Sequence, residues 1–447
     1  MYAMPSISEE MFERAAAYRK LLSPGAVHES PGRVFPYTER HLHALWFDDS
    51  LRPPELKTSR GEPVVVESPG RWNLEAGPDF LGAVLRIGRE QRRVAGDAEI
   101  HIVSNDWKNH GHHIDPRYEG VRFHITWFPG TLDESLFPPG TVHISLYDTC
   151  TTDLESIDLT AYPYNEPRAS GEFPMSGKNP DEIFQTLEDA GTERLRQKTQ
   201  RMAWLMQQRG EAQALYEETA AALGYKNNKA PFRKLAHAVS LEWLAQYGSD
   251  WKTIYAVLLG LSGLLPKQPG AKWPEASKTE LRSLWDLWWR EEHKWEEVAP
   301  LTRSDWNFSG LRPLNHPVRR LCALAQWAAF DFFAGDALAT RSAKMQRSCF
   351  WSTHLGWTGK EKKAELVGQG RLQAIELNVF APFRLAKGDA TALERLSVEP
   401  TNSVIKETAY TLFGPDHSPK LYRTALARQG LIQIFNDFIL TGRLDEL

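Results

Sequence analysis

Hydrophobic and polar residues alternate in five short stretches of the first third of the chain. These stretches are rich in β-branched residues, are bounded by Gly, Pro or Asp, and cover residues 62–68, 80–87, 97–103, 121–128 and 141–147. A period of two is typical of strands with one buried face, so we predict five strands. Before them, residues 38–47 combine a threonine cap with apolar residues at helical spacing. Residues 106–119 are polar and predict a short helical segment between the third and fourth strands.

The remainder of the chain has a helical pattern. Residues 181–208 contain regularly spaced apolar residues, and further amphipathic stretches cover residues 211–223, 230–246, 250–261, 278–296, 317–335 and 387–396. The segment 162–177 is rich in turn-forming residues and lacks periodicity, which is typical of a linker. We therefore predict an α/β domain over residues 1–175 and an all-α domain over residues 176–447.

Composition and charge exclude several classes of protein. The 447 residues carry 53 Lys and Arg against 57 Asp and Glu, and 42% are hydrophobic, which fits a globular protein and gives no global nucleic-acid signature. Cys150, Cys322 and Cys349 lie far apart and form no CxxC motif, so a disulfide scaffold is not expected. No secretory signal or membrane-length apolar run occurs, and we expect a cytoplasmic protein without a membrane partner. Motifs of P-loop ATPases, common serine hydrolases and Rossmann enzymes do not occur either.

The predicted strands carry a group of polar residues with catalytic potential. Alternation along the third strand places Asp97, Glu99 and His101 on one face. Asp79 opens the preceding strand, and a hairpin can bring its carboxylate beside that of Glu99. Two adjacent carboxylates repel unless a proton or a cation lies between them. Because carboxylate oxygens suit Mg²⁺ or Mn²⁺, the pattern predicts a site for one of these ions.

These residues resemble a known superfamily. Pro78-Asp79, followed by Glu99-x-His101, is similar to the motif of the PD-(D/E)xK nucleases, and the predicted element order matches their αβββαβ core. The resemblance implies a restriction-endonuclease-like fold and metal-dependent hydrolysis of phosphodiester bonds in DNA or RNA. It also implies that Asp79 and Glu99 hold the metal ion, which Glu39 could join through water.

His101 stands where that superfamily usually has lysine. A neutral imidazole could act as the general base near pH 7, or it could be a third metal ligand that favours Mn²⁺ or Zn²⁺. Lys108, further along the chain, could replace the missing lysine.

Additional polar residues surround this motif. On a helix His110 and His113 would share a face, and with Asp106 or Asp115 they could bind zinc or form a solvated loop. In the nuclease fold, this segment lies beside the metal ion. We interpret His124, inside a strand, as a buried, hydrogen-bonded residue. Further accessory candidates are Asn73, Glu75 and Asp97.

Cationic residues of the helical half could position nucleic acid through its phosphates. The candidates are Arg194, Lys198 and Arg201 on one long helix and Lys226 and Lys229 in a connecting loop. Arg194 and Lys198 could equally form ion pairs on a solvated face with Glu188, Asp189 and Glu193.

Over most of its length the chain also resembles a bacterial family of unknown function. The phrases that carry this resemblance are WNLEAGPDF, GDAEIH, DWKNHGHHIDPRY, LGYKNNKAPFRKLA and LRPLNHPVRRL. We predict a nuclease that binds DNA or RNA. The alternatives are a catalytically degenerate scaffold that binds nucleic acid or protein, and a zinc hydrolase using His101, His110 and His113.

Overall fold

The structure of the protein is a computed structural model. It describes residues 9–22, 37–130, 133–164, 173–225, 227–330, 332–333, 349–358, 363–398, 400–444 and 447. The chain forms two compact units. The sheet unit comprises Arg14–Glu193, Asn402–Leu421 and Gln429–Leu447, and the helical unit comprises Met1–Glu13, Arg194–Thr401 and Tyr422–Arg428. The predicted domains, 1–175 and 176–447, divide the chain at one point, whereas the sheet unit also contains residues 176–193, 402–421 and 429–447, and the helical unit contains Met1–Glu13.

The described residues of the sheet unit form a mixed seven-stranded sheet. Its strands are β1 (Leu56–Lys57), β2 (Pro63–Ser68), β3 (Arg71–Trp72), β4 (Phe80–Ile87), β5 (Arg92–His101), β6 (Val121–Thr126) and β7 (Val142–Ser145). The order is β1-β2-β4-β5-β6-β7, with β3 paired to β4. Strands β2, β4 and β5 are antiparallel, whereas β5, β6 and β7 are parallel. A bridge between Thr58 and Ile144 links the two edges, so the sheet nearly closes on itself.

Helices flank this sheet at the positions that matter for the site. Helix α2 (Glu39–Phe47) buries Leu42, Leu45 and Trp46 in the same core as strand residues, which leaves its other face for polar side chains. The crossover from β5 to β6 contains helix α3 (Asp106–Asn109) and the 3₁₀ turns His112–Ile114 and Pro116–Tyr118. A parallel pair of strands needs such a crossover, and this one places its polar residues after the end of β5.

The five predicted strands and the helix before them are confirmed. Strands β1 and β3 were not predicted, since two residues are too short to show an alternating pattern. Residues 80–87 coincide with β4, while β5 begins at Arg92, five residues before the predicted start.

The rest of the described chain is helical, as predicted. Besides α1 (Glu9–Leu22), its α-helices are Pro180–Arg209, Glu211–Leu223, Lys229–Ala238, Leu241–Leu244, Trp251–Leu261, Glu275–Glu291, Pro317–Ala329, Phe350–Thr353, Gln369–Ile375, Ala381–Ala386, Ser403–Phe413 and Ala425–Ile434. The predicted stretch 387–396 contains only a 3₁₀ turn, Ala390–Ala392. Within the described ranges, every helix is too short or too polar to span a lipid bilayer.

Candidate metal centre

The hairpin of β4 and β5 brings two carboxylates together. The backbone N–H of Asp79 donates to Glu99 Oε2 at 3.0 Å. In return, Asp79 Oδ2 accepts a hydrogen bond of 2.8 Å from the backbone N–H of Ile100. Asp79 and Glu99, which the sequence predicted to be neighbours, therefore lie side by side at one end of the hairpin.

Three imidazoles converge beside these carboxylates. Glu99 Oε1 lies 3.1 Å from His112 Nε2 and 3.6 Å from His101 Nε2. One ring nitrogen from each of His101, His110 and His112 lies within 4.8 Å of the others. Tyr118 stacks on the His112 ring at a centroid distance of 3.9 Å and holds it in place. Among the described residues this histidine cluster could hold a metal ion.

Buried nitrogens without hydrogen-bond partners support that interpretation. Among the described residues, the Nε2 atoms of His43, His101 and His112 are buried and make no hydrogen bond, although a carboxylate oxygen of Asp79 or Glu99 lies 3.1–3.6 Å from each of them. Leaving a buried polar atom unsatisfied costs about 1–3 kcal/mol, and a metal ion would remove this cost. Ligand atoms about 2.0–2.2 Å from one ion lie roughly 3–3.5 Å apart, close to the separations around Glu99. The residues therefore fit a bound metal ion.

The electrostatics of the cluster are unfavourable without a compensating cation. Burial and the negative charge of Asp79 raise the pKa of Glu99 well above its usual value. Burial, with Asp79 and Asp106, raises the pKa of Glu39 to about 8. Burial lowers the pKa of His112 to about 4, so its ring is neutral at pH 7. Buried carboxylates beside neutral imidazoles are a donor set that favours a positive ion.

Helix α2 contributes a residue that the sequence analysis missed. His43 Nε2 lies 3.3 Å from Asp79 Oδ2. Glu39, one turn earlier, shares the face of His43 and accepts a hydrogen bond from the backbone of Ile102. The Glu39-x-x-x-His43 spacing, on the polar face of a helix whose other face is apolar, was the signal that could have identified His43.

A row of buried histidines leads away from the cluster. His101 Nδ1 lies 3.0 Å from His124 Nε2, and His124 Nδ1 lies 3.2 Å from His143 Nδ1. The parallel register of β6 and β7 pairs His124 directly with His143. Burial lowers the pKa of His124 to about 3, so this ring is neutral and hydrogen-bonded, as expected. If His101 Nε2 binds a metal ion, its Nδ1–H must donate to His124, which in turn donates to His143.

Two residues predicted to belong to the site, His113 and Lys108, lie outside the histidine cluster. His113 is exposed and does not belong to the cluster, because α3 ends at Asn109 and Gly111 has a positive φ of 77°. The predicted helical spacing therefore does not apply, and His112 takes the position expected of His113. Lys108 is exposed. Hydrogen bonds from Ser135 lower the pKa of Asp133, and the positive charge of Lys108 lowers it further.

The other accessory candidates are mainly structural. Asn73 Nδ2 donates to the Pro78 carbonyl at 2.9 Å and thereby closes the loop that carries Asp79, while Glu75 in this loop is exposed. The register shifts between Asp97 and Ala98, and the Asp97 carboxylate accepts a hydrogen bond from Gly82. Asp106 accepts one from the Val103 backbone at 3.2 Å.

The candidate phosphate-binding residues make contacts within the helical unit. Lys198 donates to the side-chain oxygen of Asn378, and Arg201 forms a bidentate pair with Glu218 at 2.6 and 2.8 Å. Arg233 donates to the same carboxylate at 2.9 Å. These contacts favour a structural role for Lys198 and Arg201. Arg194 and Lys229 are half-buried, and Lys226 lies outside the described residues.

The Glu218 carboxylate supplies a test of that structural role. A Glu218→Gln substitution removes the negative charge that the largely buried guanidinium groups of Arg201 and Arg233 share, so we expect the free energy of unfolding to fall by about 3 kcal/mol. Urea denaturation measures this change. The control is Glu211→Gln, which breaks an exposed pair with Lys387 and is expected to cost less than about 1 kcal/mol. Equal effects of the two substitutions would contradict the prediction.

Fold and site together define a mixed α/β protein with a buried histidine–carboxylate cluster that could hold a metal ion. The chain belongs to the DUF2851 family, described as a protein of unknown function, which matches residues 39–408. This span includes Glu39, His143 and every cluster residue between them. No curated protein and no solved structure matches the chain.

Proposed function

We propose that the protein is a divalent-metal-dependent hydrolase that cleaves phosphodiester bonds in DNA or RNA. The observation that carries the proposal is the set of buried Nε2 atoms of His43, His101 and His112, which make no hydrogen bond within the described part of the chain and face the paired carboxylates at 3.1–3.6 Å. A metal ion would satisfy this donor set, and metal-assisted hydrolysis uses a site of this kind.

The choice of phosphodiesters as substrates is supported by the arrangement of the strands. Three antiparallel strands, β2, β4 and β5, are followed by α3 and by the parallel strand β6. With α2 in front, this order is similar to the αβββαβ order of the PD-(D/E)xK nucleases, which supports the proposal. Asp79 and Glu99 occupy the positions that the resemblance assigns to metal ligands.

We assign Glu99, His101 and His112 as ligands, with His110 at the exposed edge of the cluster. Mixed nitrogen and oxygen donors suit Mn²⁺ or Zn²⁺ better than Mg²⁺. When bound, the ion polarises the phosphate and makes the attacking water more acidic. Asp79 and His43 form an adjacent pair that can orient the substrate or the water.

His101 serves this reaction as a ligand rather than as the base. Its side chain is fully buried, and burial with its histidine neighbours holds its pKa well below the usual value. His110 is exposed, and its ring lies 5.1 Å from that of His101. His110 can therefore accept the proton of the attacking water at the open side of the cluster.

The proposal is tested with the purified full-length chain after removal of metal ions by a chelator. We expect Mn²⁺ or Zn²⁺ to bind and to restore cleavage of labelled DNA or RNA, with single- and double-stranded substrates compared in parallel. A protein that binds metal without cleaving either nucleic acid would overturn the assignment of the substrate. Nucleic-acid binding without metal would instead indicate the scaffold.

Metal binding should also stabilise the folded chain. At a free ion concentration 100 times Kd, the expected stabilisation is about 2.7 kcal/mol, which differential scanning fluorimetry detects as a higher Tm. His112→Ala should lose most of this shift because it removes a ligand. His113→Ala is the matched control, since the neighbouring imidazole is exposed and outside the cluster. The same shift in both variants would contradict the assignment of His112.

A further inference from the structure

Two cysteines that are remote in sequence meet inside the helical unit. The sulfur atoms of Cys322 and Cys349 are 3.6 Å apart, although the two residues lie 27 positions apart in the sequence. Cys322 lies in the helix Pro317–Ala329 and is fully buried, whereas Cys349 directly precedes the helix Phe350–Thr353 and is half-buried. A buried thiol therefore lies next to one that small molecules can approach.

The two thiols differ in acidity. Hydrogen bonds from Cys322 and Ser352 hold the pKa of Cys349 at about 6, so its thiolate predominates at pH 7. Burial raises the pKa of Cys322 well above its usual value, so this residue keeps its proton. The guanidinium group of Arg319 interacts electrostatically with both sulfur atoms. One nucleophilic sulfur thus has a protonated partner within reach, which is the arrangement found in thiols that react with oxidants.

We propose that Cys349 and Cys322 are a redox-active pair that a hydroperoxide converts into an intramolecular disulfide. The Cys349 thiolate attacks the terminal oxygen of the hydroperoxide. An S–O bond forms, the O–O bond breaks, and the leaving alkoxide takes up a proton to become an alcohol. The Cys322 sulfur then attacks the Cys349 sulfur, and the displaced hydroxide leaves as water with the Cys322 proton. The two thiols together supply the two electrons that reduce the hydroperoxide.

The geometry suits both steps. A disulfide needs sulfur atoms about 2.05 Å apart, so the two sulfur atoms, now 3.6 Å apart, must approach by about 1.5 Å. Burial of Cys322 and the partial burial of Cys349 leave little room for a bulky mixed disulfide, which favours a small hydroperoxide as the oxidant.

Cys150 provides an internal control. It is a half-buried free cysteine of the sheet unit, and its Sγ contacts the Thr152 carbonyl at 3.8 Å. Burial raises the pKa of its thiol, so little thiolate is present at neutral pH. We expect Cys150 to stay reduced under conditions that oxidise Cys349.

The test treats the full-length chain with hydrogen peroxide and maps the products by mass spectrometry under non-reducing conditions. We expect the loss of two hydrogen atoms, a crosslink between the peptides of Cys322 and Cys349, and complete reversal by dithiothreitol. Cys322→Ser should stop at a Cys349 sulfenic acid that dimedone traps. Cys150→Ser should behave as the unsubstituted chain.

A second measurement covers the case in which a serine variant does not fold. In the unsubstituted chain, alkylation of Cys349 by iodoacetamide should rise through pH about 6, whereas Cys150 should react only at higher pH. A crosslink that involves Cys150 or a second chain would overturn the proposal. Equal alkylation of Cys349 and Cys150 at pH 7, or oxidation of Cys349→Ser at the rate of the unsubstituted chain, would overturn it too.

Discussion

A Glu99→Gln variant is expected to bind divalent metal at least about 100-fold more weakly and to lose nearly all hydrolytic activity. One oxygen of the Glu99 carboxylate accepts the Asp79 N–H, and the other faces the Nε2 atoms of His101 and His112. An amide retains the shape of this side chain but removes the negative charge from the centre of the cluster. Competition with a fluorescent chelator measures the affinity.

The same substitution should not weaken the metal-free fold. The pKa of Glu99 is raised because burial and Asp79 oppose its charge, so ionisation of this group costs stability as the pH rises above its unfolded-state value. A neutral glutamine avoids this cost, and we expect the metal-free variant to unfold at the same temperature at pH 7 or at a higher one. Glu75→Gln is the control, since Glu75 is exposed in the loop before Asp79. Normal metal content in Glu99→Gln would show that Glu99 is not a ligand.

The sheet could be predicted because the buried face of each strand is visible as an alternating pattern within one short segment of the sequence. Alternation within residues 80–87 reflects one buried face of β4, and the hairpin that follows places Asp79 beside Glu99 without knowledge of distant residues. Prediction of the whole histidine–carboxylate cluster also requires knowledge of how the helices pack on the sheet. His43 reaches Asp79 only because α2 packs its apolar face on the sheet core, and a periodicity argument does not specify that packing.

Local backbone geometry explains the misplaced histidine. A continuous helix over residues 106–119 would have put His110 and His113 on one face. The positive φ of Gly111 interrupts the helical path and precedes a 3₁₀ turn. As a result His112, and not His113, lies beside His110 in the cluster. Glycine permits this conformation but does not require it, so the sequence left both outcomes open.

Charged helix faces were the least predictable feature. Arg201 was predicted to bind phosphate because no acidic partner for it could be identified in its own helix. Its partner, Glu218, lies on another helix, Glu211–Leu223, and no local sequence pattern predicts how that helix packs. Glu188 and Asp189, which were possible partners of Arg194 and Lys198, pair with Arg14 of the sheet unit. The two sulfur atoms of the cysteine pair likewise meet only through folding.

The histidine row should control metal affinity from a distance. With His101 Nε2 on a metal ion, His124 Nε2 accepts the hydrogen bond of the His101 Nδ1–H, 3.0 Å away, so His124→Leu is expected to weaken metal binding by about 10–100-fold. His124→Gln can still accept from His101 and donate toward His143, and it should recover much of that affinity. Chelator competition gives the affinities, and the visible spectrum of the Co²⁺-loaded protein reports whether the ligand geometry has changed.

The comparison of His124→Leu with His124→Gln distinguishes loss of an orienting hydrogen bond from loss of packing. A packing defect would lower Tm in both variants and would not distinguish leucine from glutamine, because both leave the imidazole volume partly unfilled. An orienting hydrogen bond predicts that affinity follows the polar character of residue 124, with His124→Gln between the unsubstituted chain and His124→Leu. Exposed His113→Leu should leave both the affinity and the Co²⁺ spectrum unchanged. Unaltered affinity in His124→Leu would show that His101 takes its metal-binding tautomer without help from the row.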